Sequence, residues 1–159
     1  MAKVLVTFYS RGGNTRKMAE LVAKGAEGVE GAEVTLKPVG EVKAKDLTGY
    51  DAIIIGSPTY YGLPAAEVKK LIDESVAFHG QLEGKVGGAF SSSANIGGGN
   101  ETTVMAIIQA LLIHGMVVQG TSTGDHYGPV AIGAPDDRAS NLCEEYGKRV
   151  ASLAVKLHG

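Results

Sequence analysis

Three stretches of the 159-residue chain concentrate hydroxyl, amide and glycine residues of the kind that hold an anion and a flat ring. The first is Ser10-Arg11-Gly12-Gly13-Asn14-Thr15, which combines two hydroxyls, an amide side chain, permissive backbone and the free N–H groups of a helix start. Backbone donors and a helix dipole together favour a dianionic phosphate without a paired lysine. A Walker A loop would need G-x-x-x-x-G-K-[ST] and a dinucleotide fingerprint G-x-G-x-x-G, and neither spacing is present. With no ligand, the same residues make an ordinary strand-to-helix turn closed by an Asn/Thr cap. The second stretch is Gly56-Ser57-Pro58-Thr59-Tyr60-Tyr61-Gly62-Leu63-Pro64. Its prolines stiffen it, its adjacent tyrosines suit stacking on a heterocycle, and one of that pair is expected to serve the core instead. The third is Ser91-Ser92-Ser93-Ala94-Asn95-Ile96-Gly97-Gly98-Gly99-Asn100-Glu101, whose small residues let a ligand approach backbone donors. A flexible surface loop would have the same composition.

Other reactive residue types are scattered. His114 precedes Gly115 at an expected helix end, where the dipole favours a protonated imidazole; a helix-end hydrogen-bond partner is the alternative reading. Asp125 and His126 form either an acid/base couple or a solvated loop pair. Serines 91–93 with His114 or His126 and Asp125 supply the residue types of a hydrolase triad, but the chain has no G-x-S-x-G elbow, so that chemistry is disfavoured. Four histidines without partners at ligand spacing predict no metal site. The single cysteine, Cys143, is expected to pack inside the last helix.

The elements that would position these residues alternate. Residues 3–8 (K-V-L-V-T-F) predict a buried strand. Helical spacing of Met18, Leu21, Val22, Ala26 and Val29 follows, stopped by Gly31. Strands are expected over 32–39, 51–56, 85–91 and 116–119, with helices over 64–74, 102–114 and 136–157 and two turns at most over 43–50. Such alternation requires a parallel sheet with right-handed crossovers and helices on both faces. In that architecture the binding crevice lies at the carboxyl ends of the strands, the edge on which all three stretches fall.

Composition narrows the possibilities. The length suits one domain, residues 1–159, with no internal repeat or linker. Fifteen basic against 17 acidic residues, with no basic cluster, argue against a nucleic-acid partner. The most apolar run, residues 104–118, is too short and interrupted for membrane insertion. One cysteine and no signal-peptide pattern make the cytoplasm the expected compartment. Glycine, at 23 residues, is about twice its average usage, and its clustering in the three stretches reads as clearance for a ligand rather than disorder.

The first strand with Ser10-x-x-Gly13-x-Thr15 resembles the flavodoxin FMN-phosphate signature, with Thr7 where an apolar residue is usual. The opening A-K-V-L-V, G-S-P-T-Y-Y-G, F-S-S-S-A-N-I-G-G-G-N-E, I-H-G-M-V and the ending A-S-L-A-V-K-L are similar to the tryptophan-repressor-binding-protein family of FMN-dependent NAD(P)H:quinone oxidoreductases. The similarity covers nearly the whole chain. It implies a flavodoxin-like three-layer α/β/α fold with a five-stranded parallel sheet in the order 2-1-3-4-5. It implies that Ser10, Arg11, Gly12, Gly13, Asn14 and Thr15 bind the FMN phosphate and that Thr59, Tyr60 and Tyr61 line the isoalloxazine, with Pro58 and Gly62 also binding the cofactor. Ser92, Ser93, Ala94, Asn95, Ile96, Gly97 and Gly98 would wrap the ribityl chain and ring edge, with Ser91 also binding the cofactor. His114 matches a histidine placed beside the flavin, and Tyr127, in a shortened Tyr-Gly loop, would contact flavin or substrate.

NADH or NADPH is the implied donor, a quinone the implied acceptor and a dimer or tetramer the implied assembly. A one-electron carrier between redox protein partners is the alternative, against which the net charge of −2 weighs, because such carriers dock through strongly acidic surfaces. Gly12 stands where an aromatic often contacts nicotinamide, the segment between the second and third strands is short, and Trp is absent.

Overall fold

Short apolar runs bounded by turn residues form the strands, and the helical patterns between them carry the chain back across the sheet. The computed structural model describes residues 1–159. In chain order it contains β1 (Ala2–Phe8), α1 (Asn14–Glu27), β2 (Ala32–Pro38), β3 (Ala52–Tyr60), β4 (Leu63–Pro64), α2 (Ala66–Glu74), β5 (Val86–Ser93), α3 (Asn100–Ile113), β6 (Val117–Val118), β7 (Val130–Ile132) and α4 (Asp137–His158). Short 3-10 turns occupy Val39–Glu41, Ala44–Gly49 and Ser75–Phe78.

The sheet runs β2-β1-β3-β5-β6, all parallel, with β7 also parallel to β5 and β4 folded back antiparallel on β3. Counting β6 and β7 as one interrupted strand, this is the flavodoxin-like order 2-1-3-4-5. Two expectations need correction. The third and fourth strands are longer than their apolar runs, because Ser57, Pro58, Ser91 and Ser92 stay in register beyond Gly56 and Phe90. Residues 92 and 93, expected in a loop, are therefore buried strand. The fifth strand is split: Val117 and Val118 pair with the start of β5, and Val130 to Ile132 rejoin at Ser91 to Ser93. The polar Gly/Thr/Ser run between them has little apolar surface to bury and leaves the sheet.

Period-two alternation divides the core. Val4, Val6, Phe8 and Ile54 pack with Met18, Val22, Cys143, Tyr146 and Val150 of α1 and α4. Leu5, Ile53 and Ile55 face Val68 and Leu71 of α2 and Val104, Ile107 and Leu111 of α3. Both faces of β3 are thus covered, which is why D-A-I-I-I-G is continuously apolar. α1 and α4 touch backbone to backbone: a Cβ on Gly147 would lie 1.9 Å from the Val22 carbonyl oxygen, and one on Gly25 1.9 Å from that of Glu144. No helix is long and apolar enough to cross a membrane.

Candidate functional site

The β1–α1 turn forms a cradle because α1 starts without a side-chain cap. Gly13, its N-cap residue, takes the left-handed conformation at φ 98°, which glycine adopts without strain. The Gly13 N–H donates to Ser10 Oγ at 3.1 Å and curls the turn over the strand ends. Amides of the first turn, left without intrahelical acceptors, and the positive end of the helix dipole then serve the space above.

The second stretch is a hairpin rather than a free loop. Tyr60 pairs with Leu63 across the two-residue turn Tyr61-Gly62, whose φ values of 50° and 75° match the doubly left-handed turn that suits twisted strands. Tyr61 is the one non-glycine residue with positive φ, and its ring is fully exposed. Ser57 Oγ accepts from the Ala65 N–H and donates to the Pro58 carbonyl, both at 2.8 Å, tying the hairpin's return to its base. Thr59 Oγ1 and Ser91 Oγ lie 2.9 Å apart and link it to β5.

Beyond β5 the third stretch leans on the hairpin. A Cβ on Gly99 would fall 2.6 Å from Gly62 Cα, and Thr102 Oγ1 lies 2.9 Å from the Gly62 carbonyl. Asn100 Nδ2 donates to Ser93 Oγ, and the Ser93 hydroxyl donates to the Asn95 carbonyl. Gly99 caps α3 in left-handed geometry, again with no side-chain cap, so a second helix start faces the same edge.

These elements enclose a cavity of about 500 Å³ lined by Ser10, Arg11, Gly12, Asn14, Thr15, Pro58, Thr59, Tyr60, Ser92, Ser93, Ala94 and Gly133. Arg11 is its single charged residue, so the lining favours an anion. Of the other residues expected at the site, Gly13 shapes the cradle from behind and Ser91 lies beneath the lining, 0 % exposed. Tyr61 and Gly62 follow Tyr60 in the chain, and Asn95, Ile96, Gly97 and Gly98 follow Ala94, without lining the cavity; Ile96 is 89 % exposed. Gly133 was not foreseen. Its N–H donates to the Ser93 carbonyl and its own carbonyl accepts from Ser92 Oγ. The apolar V-A-I before it is the sequence signal that would have found it.

His114 is not brought to this cavity. It ends α3, whose 14 residues rise about 21 Å from the carboxyl edge to the opposite edge of the sheet. There Nε2 lies 2.8 Å from Ser75 Oγ, whose own proton goes to the Ile72 carbonyl at 2.6 Å. The imidazole is therefore the donor and its Nδ1 is a buried atom without a partner. Burial and the nearby His79 ring hold its pKa below 6.5. Desolvation is the larger of these two causes, and the direction is opposite to that expected from the helix end alone.

Tyr127, about half exposed, lines a separate pocket of about 240 Å³ with Glu101 and Val104 beside the start of α3. Asp125 and His126 do not form a couple. The Asp125 carboxylate accepts from the Val130 N–H and pairs with Arg138, while His126 Nδ1 bonds the Thr121 carbonyl.

The donor set suits FMN. An uncapped helix start with two hydroxyls, an amide side chain and one guanidinium matches a phosphate dianion, and Tyr60 in the lining matches a flat ring. Comparisons with known proteins agree. The family described as NADPH-dependent FMN reductase matches residues 4–127. A protein of Aquifex aeolicus named flavodoxin is 42% identical, covering 100% of this chain and 91% of its own length. One of Archaeoglobus fulgidus named NAD(P)H dehydrogenase (quinone) is 35% identical over 99% of this chain and 100% of its own. The crystal structure of a flavodoxin, WrbA-like protein from Agrobacterium tumefaciens superposes with a TM-score of 0.83 at 30% identity, covering 99% of both chains.

Proposed function

The chain belongs to the NADPH-dependent FMN reductase family, and from that premise we propose that it is an FMN-binding oxidoreductase that passes two electrons from NADH or NADPH to a quinone. The observation that carries this reading is the cradle itself, an uncapped α1 start beside Ser10, Thr15 and Arg11 in a cavity without a carboxylate.

In this reading residues 10–15 hold the FMN phosphate, Ser10 and Thr15 through hydroxyls and α1 through its first amides. Pro58 to Gly62 present ring-facing backbone and the Tyr60 and Tyr61 side chains, and residues 91–98 border the ribityl chain. Bound FMN supplies a centre that accepts a hydride and releases electrons singly or in pairs. The protein's share is to fix that ring, through the Ser57, Thr59 and Thr102 links that hold the hairpin, and to leave one face reachable. Tyr127 is assigned to the approach of the acceptor, supported by its exposure beside α3. His114 takes no part in the crevice of its own chain.

Self-association into a dimer or tetramer belongs to the same reading, supported by exposed Leu112, Ile113 and Val117 at the amino edge. Sedimentation that finds only monomer would remove it. A cytoplasmic location is supported by the lone, unpaired Cys143.

The decisive experiment is anaerobic. Protein reconstituted with FMN should bleach in one two-electron stage on adding NADH or NADPH and recolour with benzoquinone. No yellow chromophore with excess FMN, or no bleaching by either nucleotide, defeats the proposal. The Aquifex relative named flavodoxin favours the carrier alternative, in which reduction proceeds in two separate one-electron stages and no nicotinamide is oxidised.

A further inference from the structure

A second cavity, of about 580 Å³, opens at the same carboxyl edge, over the ends of β1 and β2. Ser10 lines both cavities, so they adjoin across the cradle. The floor of the second is apolar, built from Phe8, Val39, Val42 and Leu71. Its rim carries Arg16, Lys43 and Lys70 together with Glu67 and Glu74. The cations are largely unpaired. Arg16 lies over the Phe8 ring at 5.1 Å and meets no carboxylate, Lys43 forms no ion pair, and Lys70 reaches Glu74 only at 3.8 Å.

An apolar slot whose rim carries three cations, two of them without an ion pair, against two carboxylates suits a heterocycle that carries both phosphate and ribose hydroxyls. The other openings do not offer this. The pocket beside Tyr127 has no Lys or Arg in its lining, and the nearby Arg138 is already taken by Asp125, so it offers phosphate no free cation. The groove along the β2 edge has lysines but almost no apolar wall for a base.

We propose that this second cavity receives the adenosine-phosphate end of the nicotinamide dinucleotide, whose nicotinamide extends toward the flavin crevice from the α2 side, where Glu67 follows the hairpin. Arg16, Lys43 and Lys70 meet its phosphates, the purine lies against Val42 and Leu71, and Glu67 accepts from ribose hydroxyls. The inference rests on the reading that a nicotinamide dinucleotide is the electron donor.

Calorimetry with ADP and 2′,5′-ADP on the FMN-loaded protein tests it directly. One of the two should bind one-to-one. The double variant Lys43→Glu/Lys70→Glu should weaken that binding by about tenfold or more, the loss expected for charge-assisted phosphate contacts. Gly40→Trp, at a lining position where an added Cβ meets nothing within 4 Å, should block it. In the double variant the preference for the full dinucleotide over reduced nicotinamide mononucleotide, read as a ratio of KM values, should collapse toward one. Absence of binding by both nucleotides, or wild-type binding in both variants, overturns the assignment, and bleaching by the mononucleotide then leaves the reductase reading intact. Nucleotide binding lost in the variants, with no bleaching by any nicotinamide, supports the cavity and removes the reductase reading instead.

Discussion

Tyr146 closes an opening in the sheet. Between Val117–Val118 and Val130–Ile132 the outer edge of β5 has no strand partner, and the Ala89 N–H there donates to the Tyr146 hydroxyl at 2.8 Å. Burial pushes that phenol up to about 12, so it remains a neutral hydroxyl. Tyr146→Phe should leave a buried amide unsatisfied and cost about 1–3 kcal/mol, measured by urea unfolding. Cys143, one turn earlier on α4, is held up to about 12, chiefly by burial and then by Asp125 and Glu144. Its thiolate is scarce at neutral pH, so a disulfide reagent should titrate no thiol until the protein is unfolded. At the cradle, Ser10→Ala and Thr15→Val should each weaken FMN by about tenfold in a fluorescence titration. Riboflavin, which lacks the phosphate, should bind both variants as it binds the wild type.

The contact between α1 and α4 depends on two glycines that periodicity alone could not explain. Both fall within helical patterns, where glycine is unfavourable by about 1 kcal/mol relative to alanine. Gly147→Ala gains that propensity but drives a methyl into the Val22 carbonyl, 1.9 Å away, with backbone on both sides. The clash should win, destabilising the protein by about 1–3 kcal/mol in thermal or urea unfolding. Glycine usage therefore has a second cause besides ligand clearance, close packing of helices. The β1, β3 and β5 runs and all four helices were legible from apolar spacing, with ends a few residues off. The hairpin extension of β3 and the return of β7 were not, because Ser, Thr and Gly in those segments carry no apolar period and are kept in strand by their neighbours' hydrogen bonds.

At the scale of the whole molecule, two groups of ionisable side chains lie at opposite edges of the sheet. The carboxyl edge gathers Arg11, Arg16, Lys43 and Lys70 around its cavities. The amino edge holds the His114–Ser75 pair, with the His79 ring centroid 5.9 Å away. Because His114 has its folded pKa below the 6.5 of a free histidine, the unfolded chain takes up this proton first. Its contribution to stability is complete above that value and is lost as the pH falls through the folded pKa. Urea midpoints compared at about pH 8 and about pH 5 should fall further for the wild type than for His114→Gln. Equal falls would mean that His114 carries none of the pH dependence.

Amino-acid order by itself determined the alternating elements and, with them, the meeting of three glycine and hydroxyl stretches. A parallel sheet puts every strand-to-helix turn on one edge, so local patterns suffice to bring those turns together. It did not determine where the remaining polar groups go. That His114 bonds Ser75, that Asp125 pairs with Arg138 rather than His126, and that Tyr146 serves an amide 57 residues away were decided only by the tertiary structure. Each is a contact between residues distant in sequence, and no local period encodes which partner a buried polar group will find.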